Sequence, residues 1–318
     1  MLSLGIESTA HTFGVGIIDD NGEVLANERD IFRPEAGGIK PIDAAKHHER
    51  LSDSILTNAL QKAKVTLKDI DLIAYSAGPG MAPCLKAGLN FAKKLSAENN
   101  KPVIGVNHCM AHVEIGKMAT GAKDPITLYV SGGNSQVTGY LKGHYRVFGE
   151  TLDIAIGNAI DKFGRAVGLR FPAGPELESL AKKGKYVPLP YVVKGMDFSF
   201  TGLVTDVERK YETGKHSLED LCFSFQETAF AMLAEVSERV LAHTEKDELL
   251  VTGGVAANKR LSEMLQIMCD ERSAKFFACP RELAGDNGTM IAWLGILEFK
   301  KGVKRELDIF PRWRIDEV

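Results

Sequence analysis

The chain has 318 residues, 44% of them hydrophobic and 25% charged, with 39 Lys+Arg against 42 Asp+Glu for a net charge of −3. At about 150 residues per domain this is room for about two domains with ample cores. Composition excludes a collagen-like, coiled-coil or largely disordered chain, and it lacks the global basic signature of a nucleic-acid binder.

The chain opens as strand, polar turn, strand: Leu2 to Ile6, then Glu7 to Thr12, then Phe13 to Ile18. Asp19-Asp20-Asn21-Gly22 is a hairpin signal, and a third strand is predicted over Glu23 to Asp30. Pro41 to Ala63 has helical apolar spacing at His48, Leu51, Ile55 and Leu56. A buried strand, Leu72 to Ser76, runs into Gly78-Pro79-Gly80. A helix is predicted over Leu85 to Asn99, a strand at Val103 to Val106, and a helix from His108 to Ala119.

The pattern then restarts. Ile126 to Val130, the turn Ser131-Gly132-Gly133-Asn134-Ser135 and Gln136 to Leu141 repeat the opening unit, a weak internal repeat. Helices follow over Ile156 to Gly168, Glu176 to Lys183 and Leu218 to His243. A strand from Glu248 leads into Thr252-Gly253-Gly254, with a helix starting near Asn258 and a last one over Gly288 to Lys300. Alternating strands and helices define an α/β fold. The polar stretch Gly121–Asp124 divides it into lobes 1–123 and 124–318, with a cleft expected between them.

Five scattered cysteines without a CxxC argue against a disulfide framework. The start has no basic region and meets Glu7, so it does not read as a signal peptide, and the most apolar run, Met290 to Leu297, is far short of a bilayer span. A soluble, cytoplasmic protein with no membrane partner is expected.

The candidate chemistry lies at strand ends. Glycines let backbone N–H groups approach phosphates, and a following helix N-terminus favours anions. Three such turns, at Glu7-Ser8-Thr9, Ser131 to Ser135 and Thr252 to Asn258, point to nucleotide binding, although none is a Walker A or GxGxxG motif. In Asn107-His108-Cys109-Met110-Ala111-His112, the two histidines are i and i+4 on one helix face, a spacing at which two imidazoles chelate one metal. The plain alternative is a pair of ordinary core histidines. Cys109 lies about 100° round the helix and is a poor third ligand. Asp286, in Asp286-Asn287-Gly288, is an oxygen candidate whose alternative is an ordinary turn or helix cap. Asp161 and Glu178 are further acids on helical segments.

Together, Asn107 to His112, Tyr129 to Gln136, Asp197-Phe198-Ser199-Phe200-Thr201-Gly202-Leu203, Gly253 to Asn258 and Asp286 to Gly288 closely resemble the tRNA N6-adenosine threonylcarbamoyltransferase family. The ending, Pro311 to Val318, is similar to the archaeal and eukaryotic branch, the catalytic subunit of the KEOPS complex. The resemblance implies a two-lobed actin-like ATPase fold of the sugar kinase, heat-shock protein and actin architecture, with a duplicated core. It implies transfer of a threonylcarbamoyl group from threonylcarbamoyl-AMP to N6 of the adenosine beside the anticodon of ANN-decoding tRNAs. It implies one divalent metal, iron ahead of zinc, on His108, His112, Tyr129 and Asp286. Substrate contacts map onto Tyr129, Val130, Ser131, Gly132, Gly133, Asp161, Gly174, Glu178 and Asn258, with an adenine nucleotide among the ligands. KEOPS-type subunits, including a small atypical kinase, are the implied partners.

A mixed N/O donor set suits iron or zinc better than magnesium. No residue presents itself as a general base. Two positions depart from expectation: Ala173 stands where relatives often have glycine, which bears on Gly174, and Glu7 stands where sugar kinases have Asp, so that the longer acid would crowd a γ-phosphate. A small-molecule kinase of the same fold is the alternative reading, distinguished by having no need of two histidines. A zinc metallopeptidase requires Glu after the first histidine, where this chain has Cys109. Lys40, Lys46, Arg50, Arg312 and Arg314 are candidates for a local basic patch.

Overall fold

The computed structural model describes residues 1–34 and 38–318, which divide into two compact units, Met1–Ala119 with Asp286–Val318, and Thr120–Gly285.

In the first unit, β1 (Leu2–Glu7), β2 (Thr12–Asp19) and β3 (Val24–Ile31) form an antiparallel meander. Helix α1 (Pro41–Ala63) leads to β4 (Leu72–Gly78), and α2 (Ala82–Asn99) leads to β5 (Val103–Asn107), both strands running parallel to β1. Helix α3 (His108–Thr120) follows β5 directly. The sheet order is β3-β2-β1-β4-β5. Pro83 in the first turn of α2 costs no hydrogen bond, so the helix begins earlier than its apolar spacing suggests.

The second unit repeats the plan. Strands β6 (Ile126–Val130), β7 (Ser135–Leu141) and β8 (His144–Glu150) form the meander. Then come α4 (Ile156–Ala166), α5 (Gly174–Ala181), the short hairpin β9 (Val193–Lys194) and β10 (Asp197–Phe198), α6 (Thr201–Glu212) and α7 (Leu218–Thr244). Strand β11 (Glu248–Thr252), a 3-10 turn (Gly254–Ala257), α8 (Lys259–Glu271), β12 (Lys275–Ala278) and the short α9 (Arg281–Ala284) complete it. Its order, β12-β11-β6-β7-β8, is that of the first sheet with β6, β7, β8, β11 and β12 in place of β1 to β5. The repeat legible at the two opening hairpins therefore extends through both sheets.

Alternation along β1 shows how each face is used. Leu4 and Ile6 join a core with Phe13, Val15, Ile55, Leu56, Phe91 and Leu95, beneath α1 and α2. Gly5 faces the other way, toward α10 (Gly288–Lys300). A Cβ at Gly5 would lie 2.1 Å from the Gly288 carbonyl oxygen, and one at Gly16 2.1 Å from the Thr289 nitrogen. Only glycine lets the helix settle this closely on the strands. The second core is built from Leu128, Val137, Phe163, Phe225, Phe230 and Leu233 among others.

This glycine contact changes the domain division expected from the sequence. Residues 124–318 do not form one lobe: α10 packs on β1, β2 and β4, and the tail after it stays on the same unit. The Phe310 amide donates to Ala77 O at 2.7 Å, the Tyr75 hydroxyl to Asp308 O at 2.9 Å, and the Asn107 side chain to Trp313 O at 3.3 Å.

Candidate metal centre and glycine-turn face

Strand β5 ends at Asn107, whose side-chain carbonyl accepts from the Met110 amide at 3.0 Å. This caps the first turn of α3 and brings His108 and His112 to consecutive turns of one face. Their rings meet edge to face with centroids 4.7 Å apart, and both residues are buried. Asp286 arrives from the other end of the chain, just before α10. The Asn287 side chain caps that helix by accepting from the Met290 amide at 3.0 Å, and Arg29 Nη1 donates to the Asp286 carbonyl at 2.9 Å. Asp286 Oδ1 lies 3.2 Å from His112 Nε2 and 3.7 Å from His108 Nε2. One ligand atom from each of the three residues falls within 4.8 Å of the others.

Behind this cluster, His108 Nδ1 is 2.9 Å from Glu7 Oε2, at the end of β1. Burial opposes a charge on His108, but the Glu7 carboxylate, then Asp286, outweigh it and push the imidazole up to about 9. For His112 burial prevails and lowers its pKa. Burial also opposes ionisation of Asp286, yet the His112 hydrogen bond and the two imidazoles hold its carboxyl well below the usual carboxylate range. Two carboxylates, Glu7 and Asp286, thus face the paired imidazoles, and the His/His/Asp donor set fits a divalent transition metal. Cys109 does not join them: burial pushes its thiol up to about 12, and a thiol in that state is a poor ligand.

The remaining sequence-predicted residues lie in the second unit. Tyr129 and Val130 end β6, with Tyr129 in register with Thr252 of the parallel β11 and almost wholly buried. Ser131 to Asn134 is a tight turn: the Ser131 amide donates to Asn134 O at 2.8 Å, and the Asn134 amide to Ser131 Oγ at 3.0 Å. Gly132 and Gly133 are exposed, and a Cβ at either would meet nothing within 4 Å. The Gly157 amide, in the first turn of α4, donates to Ser131 O at 3.1 Å, which sets a helix N-terminus against the turn. Gly253, at φ +97°, packs behind it, where a Cβ would lie 2.2 Å from Val130 O.

Two pairs of site candidates adjoin here. Asn258 caps α8, its side-chain oxygen accepting from the Arg260 and Leu261 amides at 2.9 and 3.2 Å while its NH2 donates to Gln226. Glu178, on α5, accepts from the Lys259 amide at 3.1 Å, which joins it to the same turn. Asp161 Oδ1 accepts from the Ala173 amide at 2.8 Å and so shapes the turn before Gly174. Ala173 packs in the core, and Gly174 itself has open space where a Cβ would stand.

Sequence reasoning missed the link between Glu7 and His108, and the hold of Arg29 on Asp286. A signal for the first was present: an acid closing a largely apolar strand needs a partner once that strand is buried. Nothing local marks the second, since Arg29 and Asp286 are 257 positions apart.

Two comparable mixed sheets define a two-lobed α/β fold of the sugar kinase, heat-shock protein and actin type, and the first unit carries a candidate His/His/Asp metal site. Among solved structures, the chain is similar to an activator of 2-hydroxyisocaproyl-CoA dehydratase from Clostridium difficile with bound ADPNP: TM-score 0.56, 11% identity, 96% of this chain and 99% of that one. The model of the tRNA N6-adenosine threonylcarbamoyltransferase family matches residues 22–293. The Thermococcus kodakarensis protein of that name is 55% identical over 100% of this chain and 98% of its own length. A Methanobrevibacter smithii protein, "Probable bifunctional tRNA threonylcarbamoyladenosine biosynthesis protein", is 52% identical over all of this chain, which spans 60% of that protein. The chain belongs to the tRNA N6-adenosine threonylcarbamoyltransferase family.

Proposed function

We propose that this enzyme transfers the threonylcarbamoyl group of threonylcarbamoyl-AMP to N6 of the adenosine adjacent to the anticodon in ANN-decoding tRNAs, in the cytoplasm. In that reaction the N6 amine attacks the carbamoyl carbon. The new C–N bond replaces the C–O bond to the phosphate, AMP departs with the bonding pair, and the amine loses a proton. The observation that carries the reading is the convergence of His108, His112 and Asp286 in a member of this family.

Those three residues, with Tyr129 assigned by resemblance, would hold one divalent ion, iron ahead of zinc. Bound there, the ion supplies a Lewis acid for the threonylcarbamoyl oxygens. The adenylate is assigned to the second unit. The exposed amides of Gly132 and Gly133 and the N-terminus of α4 suit its phosphate. Asp161 and Glu178 accept from ribose hydroxyls, and Asn258, whose oxygen already accepts from two amides, offers the second hydrogen of its NH2 to the adenosine. Asn258 and Glu178 are already tied to the first turn of α8, which holds their carbons still for a ligand.

The partners we assign are KEOPS-type subunits, including a small atypical kinase, and tRNA. With a net charge of −3 the chain lacks a global basic surface for phosphate contacts, which supports sharing tRNA affinity with other subunits. The test is a transfer assay with threonylcarbamoyl-AMP and tRNA, beside elemental analysis of the protein. Modified adenosine formed by the metal-loaded protein with its partners, and none from the His108→Ala, His112→Ala double variant, is expected. Full transfer by a metal-free double variant overturns the reading.

A further inference from the structure

We propose that Glu7 is a positioning residue for the metal centre: its buried carboxylate accepts the Nδ1 hydrogen of His108 and thereby presents Nε2 of that ring to the ion. The inference rests on the metal reading of His108, His112 and Asp286.

Glu7 closes β1 and is 0% exposed. A carboxylate in that position is tolerable only with its oxygens occupied, and each has a partner. Oε1 accepts from the Thr9 amide at 2.7 Å and from the Thr9 hydroxyl at 2.5 Å, and Oε2 pairs with His108 Nδ1 at 2.9 Å. Thr9 Oγ1 is also 3.4 Å from His108 Nδ1, but its hydrogen is given to Glu7 and the longer distance makes it the weaker acceptor. A histidine that donates from Nδ1 keeps its Nε2 lone pair for a metal, the carboxylate–histidine–metal arrangement that orients a ligand ring and raises its basicity.

Direction supports the same role. The three residues with converging ligand atoms are His108, His112 and Asp286, and Glu7 is outside that set. Its carboxylate serves the Nδ1 side of the ring, while Nε2 looks toward Asp286 at 3.7 Å. Glu7 is 0% exposed and both its oxygens are engaged by Thr9 and His108, which suits positioning rather than catalysis.

The support behind Glu7 is rigid. The Ser8 amide donates to Ser76 Oγ at 3.0 Å and the Met81 amide to Thr9 O at 2.8 Å. Gly80 and Gly88 let their elements close on this turn: a Cβ at Gly88 would stand 2.0 Å from Ser8 Oγ, and one at Gly80 2.6 Å from Thr9 O. An Asp at position 7 would fall short of His108 by one C–C bond, about 1.5 Å. The length of Glu7, which the sequence presents as an obstacle to a γ-phosphate, thus has a use in reaching α3.

Co(II) titration of the full chain, followed by visible absorption and by competition with a chelator, tests this. Glu7→Gln is expected to bind Co(II) about 10- to 100-fold more weakly than wild type, with altered d–d bands and an unchanged far-UV spectrum. Thr9→Val, which removes the hydroxyl that holds Glu7 Oε1 and its weaker 3.4 Å contact with His108 Nδ1 but keeps the Glu7–His108 pair, is expected to lose a few-fold in affinity and provides the test if Glu7→Gln does not fold. Wild-type affinity and wild-type bands in a folded Glu7→Gln, or in Thr9→Val where that variant decides, overturn the proposal. Failure of the wild-type protein to bind Co(II) removes the underlying metal reading, a different result from equal binding by both proteins.

Discussion

His108 and His112 carry the sharpest residue-scale expectation. Replacing both with Ala should abolish stoichiometric metal, read by elemental analysis, while leaving far-UV helicity intact. Ligation needs neutral imidazoles; burial opposes a charge on His108 but the Glu7 carboxylate pushes its pKa up to about 9, so metal affinity should fall as pH drops from about 9. A second histidine provides an independent check outside the ligand set. His48 is 0% exposed, donates from Nε2 to Ala10 O at 2.9 Å and packs against Phe13 at 5.6 Å. Burial, opposed by that hydrogen bond, lowers its pKa to about 4. A histidine held neutral in the fold contributes stability that is complete above its unfolded-state value near 6.5 and lost as pH falls toward 4. At about 1.4 kcal/mol per pKa unit this is on the order of 3 kcal/mol. His48→Gln keeps a donor for Ala10 and cannot titrate. The wild-type minus variant stability, from urea melts at several pH values, should therefore shrink by roughly that amount between pH 6.5 and 4. His108 and His112 were legible from their i, i+4 spacing, whereas the burial of His48 was legible only as one apolar-face position of α1.

At the scale of elements, the docking of α10 on the first sheet sets where Asp286 stands. Gly5→Ala would place a methyl 2.1 Å from the Gly288 carbonyl oxygen, against backbone that has no rotamer to change. Overpacking of this kind costs about 1–3 kcal/mol or more. The expected result is a lower melting temperature together with weaker metal binding, because the displaced helix carries Asp286 away from His112. A melting loss without any metal loss would show that the Asp286 loop holds its place independently of α10. Helix α8 offers a cleaner separation of structure from binding. Asn258→Ala removes an N-cap worth about 1 kcal/mol, whereas Asn258→Asp retains the cap acceptor and loses the amide donor. Calorimetry should show weakened AMP binding in both and a stability loss mainly in the first. The long helices α1, α7 and α10 were readable from apolar spacing. Strands β8 and β12 and helix α6 were not. The two strands lie at sheet edges and are mostly only partly buried, and α6 buries little beyond Leu203, Val204 and Val207 along an otherwise polar sequence.

For the whole molecule, charge decides how tRNA is engaged. Lys40, Lys46, Arg50, Arg312 and Arg314 are all exposed on the first unit, but Arg314 already pairs with Asp316 at 3.0 Å, which reduces the charge available to phosphate. The chain alone is expected to bind tRNA weakly and to gain affinity with the proposed KEOPS-type subunits, measured by filter binding at two salt concentrations. Tight, steeply salt-dependent binding by the isolated chain would place the phosphate contacts here instead. The five ordered motifs from Asn107 to Gly288 were sufficient to determine the family, and apolar periodicity with turn chemistry determined most elements, because both are local properties of the chain. Membership of the units was decided by tertiary structure alone. The contact of Gly5 and Gly16 with Gly288 joins residues more than 270 positions apart, so no local pattern announces that Asp286–Val318 returns to the first sheet. The same folding back makes Asp286 a neighbour of His112 and gives the carboxylate of Glu7 a ring to hold, since burial and approach at a few ångströms exist only once the strands and helices have packed.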